Sequence, residues 1–129
     1  FLYDAVPECI LQTEIDCCWV RYAGENPANY VKKYAGRCQI VHLKDYVGRK
    51  EEGKNPYALI GVDKDTANAD EGVAFEFRPV GYGVQDWKKI IAASEKAGAG
   101  WVVVEQDDPS MQKTPIECAE LSINYLKTL

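Results

Sequence analysis

A second histidine is missing from these 129 residues, and so is any Cys-x-x-Cys pair. With His42 as the one imidazole, a site built from several histidines is out of reach. The cysteines number five (Cys9, Cys17, Cys18, Cys38 and Cys118), an odd count with two adjacent. That pattern does not make a secreted disulfide scaffold, and it predicts free thiols in a reducing, cytoplasmic setting, most of them buried as small apolar groups. No apolar run reaches the roughly 18 residues of a membrane span. Basic residues are outnumbered 15 to 20, for a net charge of −5 and a pI near 4.9. Nucleic acid and anionic membranes, which need clustered Lys and Arg, are therefore not the expected partners. Low-complexity tracts are absent, and 47% hydrophobic with 27% charged residues is an ordinary globular balance.

What is present alternates. Residues 1–9 suggest the tail of a helix, and Phe1-Leu2-Tyr3 reads as the interior of one, so a longer or processed chain is expected. Residues 11–16 (LQTEID) alternate apolar and polar and predict a strand that ends on a carboxylate. Asn26-Pro27 opens a helix that Gly36 closes, and residues 38–44 (CQIVHLK) predict a strand. Residues 45–73 are rich in Gly, Asp, Asn and Lys, with Pro56 among them, and form a long inserted loop. Residues 57–62 within it could pair with residues 73–78 as a hairpin. Gln85 or Asp86 then opens a helix closed by Gly98. Residues 101–105 (WVVVE) read as a strand buried on both faces. Thr114-Pro115-Ile116-Glu117 is a capping box with proline in the first turn, and the last helix runs to about Lys127. This order predicts an α/β protein with a parallel sheet, one domain over 1–129.

Three polar residues sit at the ends of predicted strands: Asp16, His42 and Glu105. Ligands of parallel α/β folds bind at the carboxyl ends of strands. Oxygen, nitrogen and oxygen donors converging there would suit one divalent cation such as Mn²⁺, Mg²⁺, Co²⁺ or Zn²⁺. Each residue also has a plainer role open to it. Asp16 could cap the turn that follows, His42 could be a hydrogen-bonded histidine of the core edge, and Glu105 could pair with Lys44.

Four stretches carry a family resemblance. EIDCCWVRYAGENP (14–27) is similar to an E-x-D-x-x-W segment followed by an A-G-x-N/D-P helix start. VKKYAGRCQIVHLKDY (31–46) resembles a helix ending in Ala-Gly-Arg followed by a V-H-L-K-D strand. Residues 78–107 resemble a G-x-G-x-x-D-W, helix, strand-E-Q-D block, and 114–129 its closing helix. These are the marks of the sugar phosphate isomerases/epimerases, the xylose-isomerase-like TIM-barrel superfamily.

The resemblance implies the C-terminal half of a (β/α)8 barrel, with residues 11–16, 39–44, 77–81 and 101–105 as strands five to eight. It implies one catalytic divalent metal held by Glu, Asp, His and Glu, with Asp16, His42 and Glu105 as the last three. The first glutamate has no counterpart here. The implied reaction is proton transfer beside a carbonyl of a sugar or sugar phosphate through a metal-stabilised enediolate, with Glu105 as one of two catalytic carboxylates. Lys44, Trp19 and Arg49 would face the substrate: Lys44 as a cation for an oxygen or phosphate, Trp19 as an aromatic wall, Arg49 from the loop. Gly81-Tyr82-Gly83 stands in place of a commoner G-E-G, and is read as close backbone approach. Gln106 and Asp107 could line the mouth or cap the loop. A complete barrel takes about 250 residues, so this chain is expected to need the other half of the barrel or a second copy of itself, and to lack turnover alone. Two other readings compete: a non-catalytic sugar-binding or assembly α/β domain, and a metal hydrolase of the endonuclease IV type. The single histidine and the acidic pI weigh against the hydrolase.

Overall fold

The computed structural model describes residues 2–48 and 75–129. The order is α1 (Leu2–Ala5), β1 (Thr13–Asp16), α2 (Cys17–Tyr22), α3 (Pro27–Lys33), β2 (Cys38–Leu43), β3 (Asp45–Val47), β4 (Glu76–Arg78), α4 (Trp87–Ala97), β5 (Trp101–Val104) and α5 (Pro115–Leu126). Among the described residues, β1, β2 and β5 form a three-stranded parallel sheet in that order. Register sets Asp16 opposite His42 and His42 opposite Val103.

The helices form for local reasons and pack for apolar ones. Asn26 caps α3 by accepting from Asn29 N, with Pro27 in the first turn. Asp86 caps α4, and Gly98 ends it in the left-handed region at φ 81°. Trp87, Ile90, Ala93 and Ala97 recur at helical spacing and are buried. They meet Val31 of α3 and the Ile15, Val41 and Leu43 face of the sheet in one cluster. Each such large apolar side chain contributes about 1.5–3 kcal/mol on burial. Thr114 and Glu117 close the capping box of α5 in both directions.

The structure departs from the sequence expectation in several places. First, α2 begins directly at Cys17, because Asp16 Oδ1 accepts from Trp19 N at 3.0 Å and turns the strand end into a helix cap. Second, the stretch near 77–81 is not a strand of the parallel sheet: β2 pairs directly with β5, and β4 pairs antiparallel with β3. Pro79 has no N–H to give a ladder, and Gly81 turns the chain at φ 92°. The amides of Gly81, Gly83 and Gln85 go instead to the Asp45 carboxylate. A Cβ on Gly83 would lie 2.1 Å from Asp45 Oδ1, which explains the glycine. Third, β5 is not buried on both faces. Among the described residues it lies at one edge of the sheet, and Trp101 to Val104 are all exposed, Trp101 at 73%. Among the described residues nothing covers them. The hairpin proposed for 57–62, and most of the 45–73 loop, lie outside the described residues; β3 shows that 45–47 is strand.

Cys17, Cys18, Cys38 and Cys118 are buried and Cys9 is exposed, all as free thiols. Burial pushes the Cys17 and Cys18 thiols well up. No described helix is long and apolar enough to cross a membrane.

Candidate metal centre

Strand alternation builds the site. Glu14 and Asp16, His42 and Lys44, and Glu105 and Asp107 are each spaced by two, so each pair shares one face at its strand's end. That face is opposite the one that Ile15, Val41 and Leu43 turn to the helices. The ladder continues one step past β5 through the bond from Glu105 N to Leu43 O at 3.1 Å. Glu105 is thereby brought to the level of Lys44.

Asp16, His42 and Glu105 converge, with one donor atom of each within 4.8 Å of the others. Two metal–ligand bonds of about 2.0–2.4 Å span such separations. The donor set (one imidazole and two carboxylates, all partly exposed) fits a hard or borderline divalent cation and leaves further positions for ligands from elsewhere. His42 Nδ1 meets Glu105 Oε2, and His42 Nε2 meets Glu14 Oε1.

Lys44 lies beneath this cluster and is 2% exposed. Its ammonium sits 3.0 Å from Glu105 Oε1, 2.9 Å from Asp107 Oδ2 and 3.7 Å from Asp16 Oδ2. It also lies over the rings of Phe77 and Trp19, 5.0 and 5.4 Å from their centroids. Trp19 stacks on Phe75 and meets Tyr22 and Phe77 edge-on, so an aromatic group walls this side of the site.

The charges respond to one another. Burial pushes the Asp16 carboxyl up, against the opposing pull of the Trp19 amide and Lys44. Partial burial alone would lower His42, but Glu105 and Glu14 outweigh it and hold the imidazole above its ordinary value. Burial would raise Glu105, yet its bonds to Lys44 and His42 keep it below the usual carboxylate range. Lys44 is lowered by burial and raised by more through Asp107 and Glu105.

The structure thus brings together Asp16, His42, Glu105 and Lys44, with Trp19 beside them. The plainer roles hold alongside the convergence: Asp16 does cap a helix, and Glu105 does pair with Lys44. Arg49 lies outside the described residues. The sequence assigns Glu14 no role beyond its place in E-x-D, and for Asp107 it offers either lining the mouth or capping the loop. The period-two spacing to Asp16 and Glu105 was the signal for both.

No protein-family model matches the chain. It is similar to an inosose dehydratase of Clostridium beijerinckii, 30% identical over 109 residues, which are 82% of this chain and 34% of that protein. An inosose dehydratase of Clostridium botulinum is 33% identical over 110 residues, with the same shares. The chain spans about a third of the length of the curated relatives it matches. A crystal structure of a sugar phosphate isomerase/epimerase from Parabacteroides distasonis superposes with a TM-score of 0.66 at 17% identity, over 96% of this chain and 33% of that one. With its parallel sheet and strand-end residues, the chain has the fold of part of a (β/α)8 barrel, and it is similar in sequence to inosose dehydratases over about a third of their length.

Proposed function

We propose that the complete protein carrying this chain is a divalent-metal-dependent enzyme that moves a proton beside the carbonyl of a sugar or sugar phosphate, as an isomerase or epimerase. The observation that carries this reading is the convergence of Asp16, His42 and Glu105 at the carboxyl ends of parallel strands. A divalent cation bound there supplies polarisation of the carbonyl and charge stabilisation for the enediolate. Asp16 and His42 hold that cation, and Glu105 serves both as ligand and as proton acceptor. Lys44 keeps Glu105 ionised and directs positive charge toward bound oxygens or phosphate. Trp19 forms a wall for the carbon skeleton, and Arg49 is a further candidate for the substrate. The second catalytic carboxylate and the fourth ligand would come from a glutamate outside these 129 residues.

A second reading is favoured by the relatives themselves, which are named as inosose dehydratases. The first step is shared: a C–H bond next to the ketone breaks and Glu105 takes the proton. Reprotonation on carbon then yields an isomer or epimer; expulsion of hydroxide from the neighbouring carbon, leaving as water, yields dehydration. The open edge of β5 is assigned to the remainder of the barrel or to a second copy of the chain.

The test is solvent exchange. The complete protein with Mn²⁺ is incubated in D₂O with ketohexoses, their phosphates and inosose, and followed by NMR. Deuterium is expected at the carbon beside the carbonyl of one compound, and a chelator should abolish it. A deuterated isomer marks the first reading, and release of water to a conjugated carbonyl product the second. No exchange and no water loss across the panel would overturn both.

A further inference from the structure

Glu14 stands below His42 in the ladder, opposite Ile40, while Glu105 stands above it, past the Leu43–Val104 pair. The imidazole is held between them: Nε2 faces Glu14 and Nδ1 faces Glu105. A neutral imidazole has one N–H and one lone pair, and the partner of one nitrogen decides which atom carries which. A carboxylate at Nε2 accepts that N–H and leaves the Nδ1 lone pair aimed upward, into the space that Asp16 and Glu105 share. The ring's other nitrogen has no such choice of direction, since strand alternation fixes Glu14 on the same face two residues before Asp16.

We propose that Glu14 is a positioning residue that sets the tautomer and ring orientation of His42, so that Nδ1 is presented to a divalent cation held with Asp16 and Glu105. This rests on the metal reading of the site. Glu14 does not itself supply a ligand atom to the converging group. Its side chain is 58% exposed, and it contributes nothing to the apolar cluster behind the sheet. Removing it should therefore leave the fold intact while freeing the ring.

The experiment measures Mn²⁺ affinity of the complete protein by calorimetry, with no substrate present. Glu14→Ala is expected to weaken Mn²⁺ binding by about 10–100-fold, the usual cost of losing a carboxylate behind a ligating histidine. Glu14→Gln, whose side-chain oxygen still accepts the Nε2–H, should restore most of the affinity. Thermal unfolding of the metal-free variants should match that of the parent. Two results would overturn the role of Glu14: Glu14→Ala binding Mn²⁺ as tightly as the parent while His42→Ala does not, or a loss in Glu14→Ala that Glu14→Gln fails to rescue. If His42→Ala itself leaves Mn²⁺ affinity unchanged, the metal reading beneath the proposal fails instead.

Discussion

The indole nitrogen of Trp87 donates to Asp45 Oδ2 at 2.8 Å, joining the first residue of α4 to the first residue of β3. Oδ2 also accepts from the amides of Gly81 and Gly83, and Oδ1 from those of Tyr46 and Gln85. A carboxylate that is fully buried thus organises the whole turn between β4 and α4, one residue after Lys44. Burial pushes its carboxyl up, and the Trp87 and backbone donors oppose that.

Asp45→Asn should destabilise the complete protein by about 2–4 kcal/mol, because the new amide group turns N–H toward donors that then lack acceptors. Trp87→Phe keeps the packing and loses one bond, so it should cost about 1–2 kcal/mol. Since both touch one network, the double variant should be less destabilised than the sum. Denaturant unfolding of the four proteins measures this.

Gly83→Ala should be among the costlier alanine substitutions in the chain. Its Cβ would lie 2.1 Å from Asp45 Oδ1, which is held by the Tyr46 and Gln85 amides, and 2.4 Å from the Tyr46 backbone carbonyl, so neither can easily give way. Overpacking of this kind costs about 1–3 kcal/mol or more, and the unfolding midpoint should fall accordingly.

Metal should stabilise the protein, and the effect should depend on His42. A cation at 100 times its Kd adds about 2.7 kcal/mol to the folded state. The thermal midpoint should rise with added Mn²⁺ and return with chelator, and His42→Ala should remove most of that rise and lower the bound metal found by elemental analysis. An unchanged metal content in His42→Ala would reject its role as a ligand.

The capping box of α5 should weaken in acid. The Thr114 backbone amide and then its hydroxyl hold the Glu117 carboxyl below its ordinary value. A depressed folded pKa contributes stability above the unfolded pKa and loses it as pH falls through the folded one. Fraying of α5 should therefore set in as pH falls through the ordinary carboxylate range and be complete below the folded pKa of Glu117. In Thr114→Ala the Glu117 titration, followed by NMR, should move back up toward its ordinary value.

The 129-residue chain made by itself should not remain a monomer of 14.4 kDa. Val102, Val103 and Val104 are exposed along a strand that, among the described residues, has a partner on one side only. Light scattering should report a larger species, and Val103→Lys should reduce it, since a charge on an open edge opposes strand pairing. A parent chain that stays monomeric at micromolar concentration would count against this expectation.

Much of this was legible along the chain because its causes are local. Asn26-Pro27, Thr114 through Glu117 and Gly98 set helix ends by bonds within a few residues, apolar alternation marked β1, and a β-rich run marked β2. Placing Asp16, His42 and Glu105 at strand ends needed only the rule that parallel strands carry ligands at their carboxyl ends. What the chain order could not decide was pairing between distant segments. That β2 lies directly beside β5 and that β4 turns back on β3 depend on where the amides of residues 81–85 find an acceptor. That acceptor is a carboxylate nearly 40 residues earlier. Likewise WVVV reads the same whether a strand is covered on both faces or left at an edge, because apolarity records a preference for burial and not the neighbour that provides it. The roles of Glu14 and Asp107 were present as period-two spacing, but only the folded ladder, by setting His42 beside one and Lys44 beside the other, turned that spacing into contact.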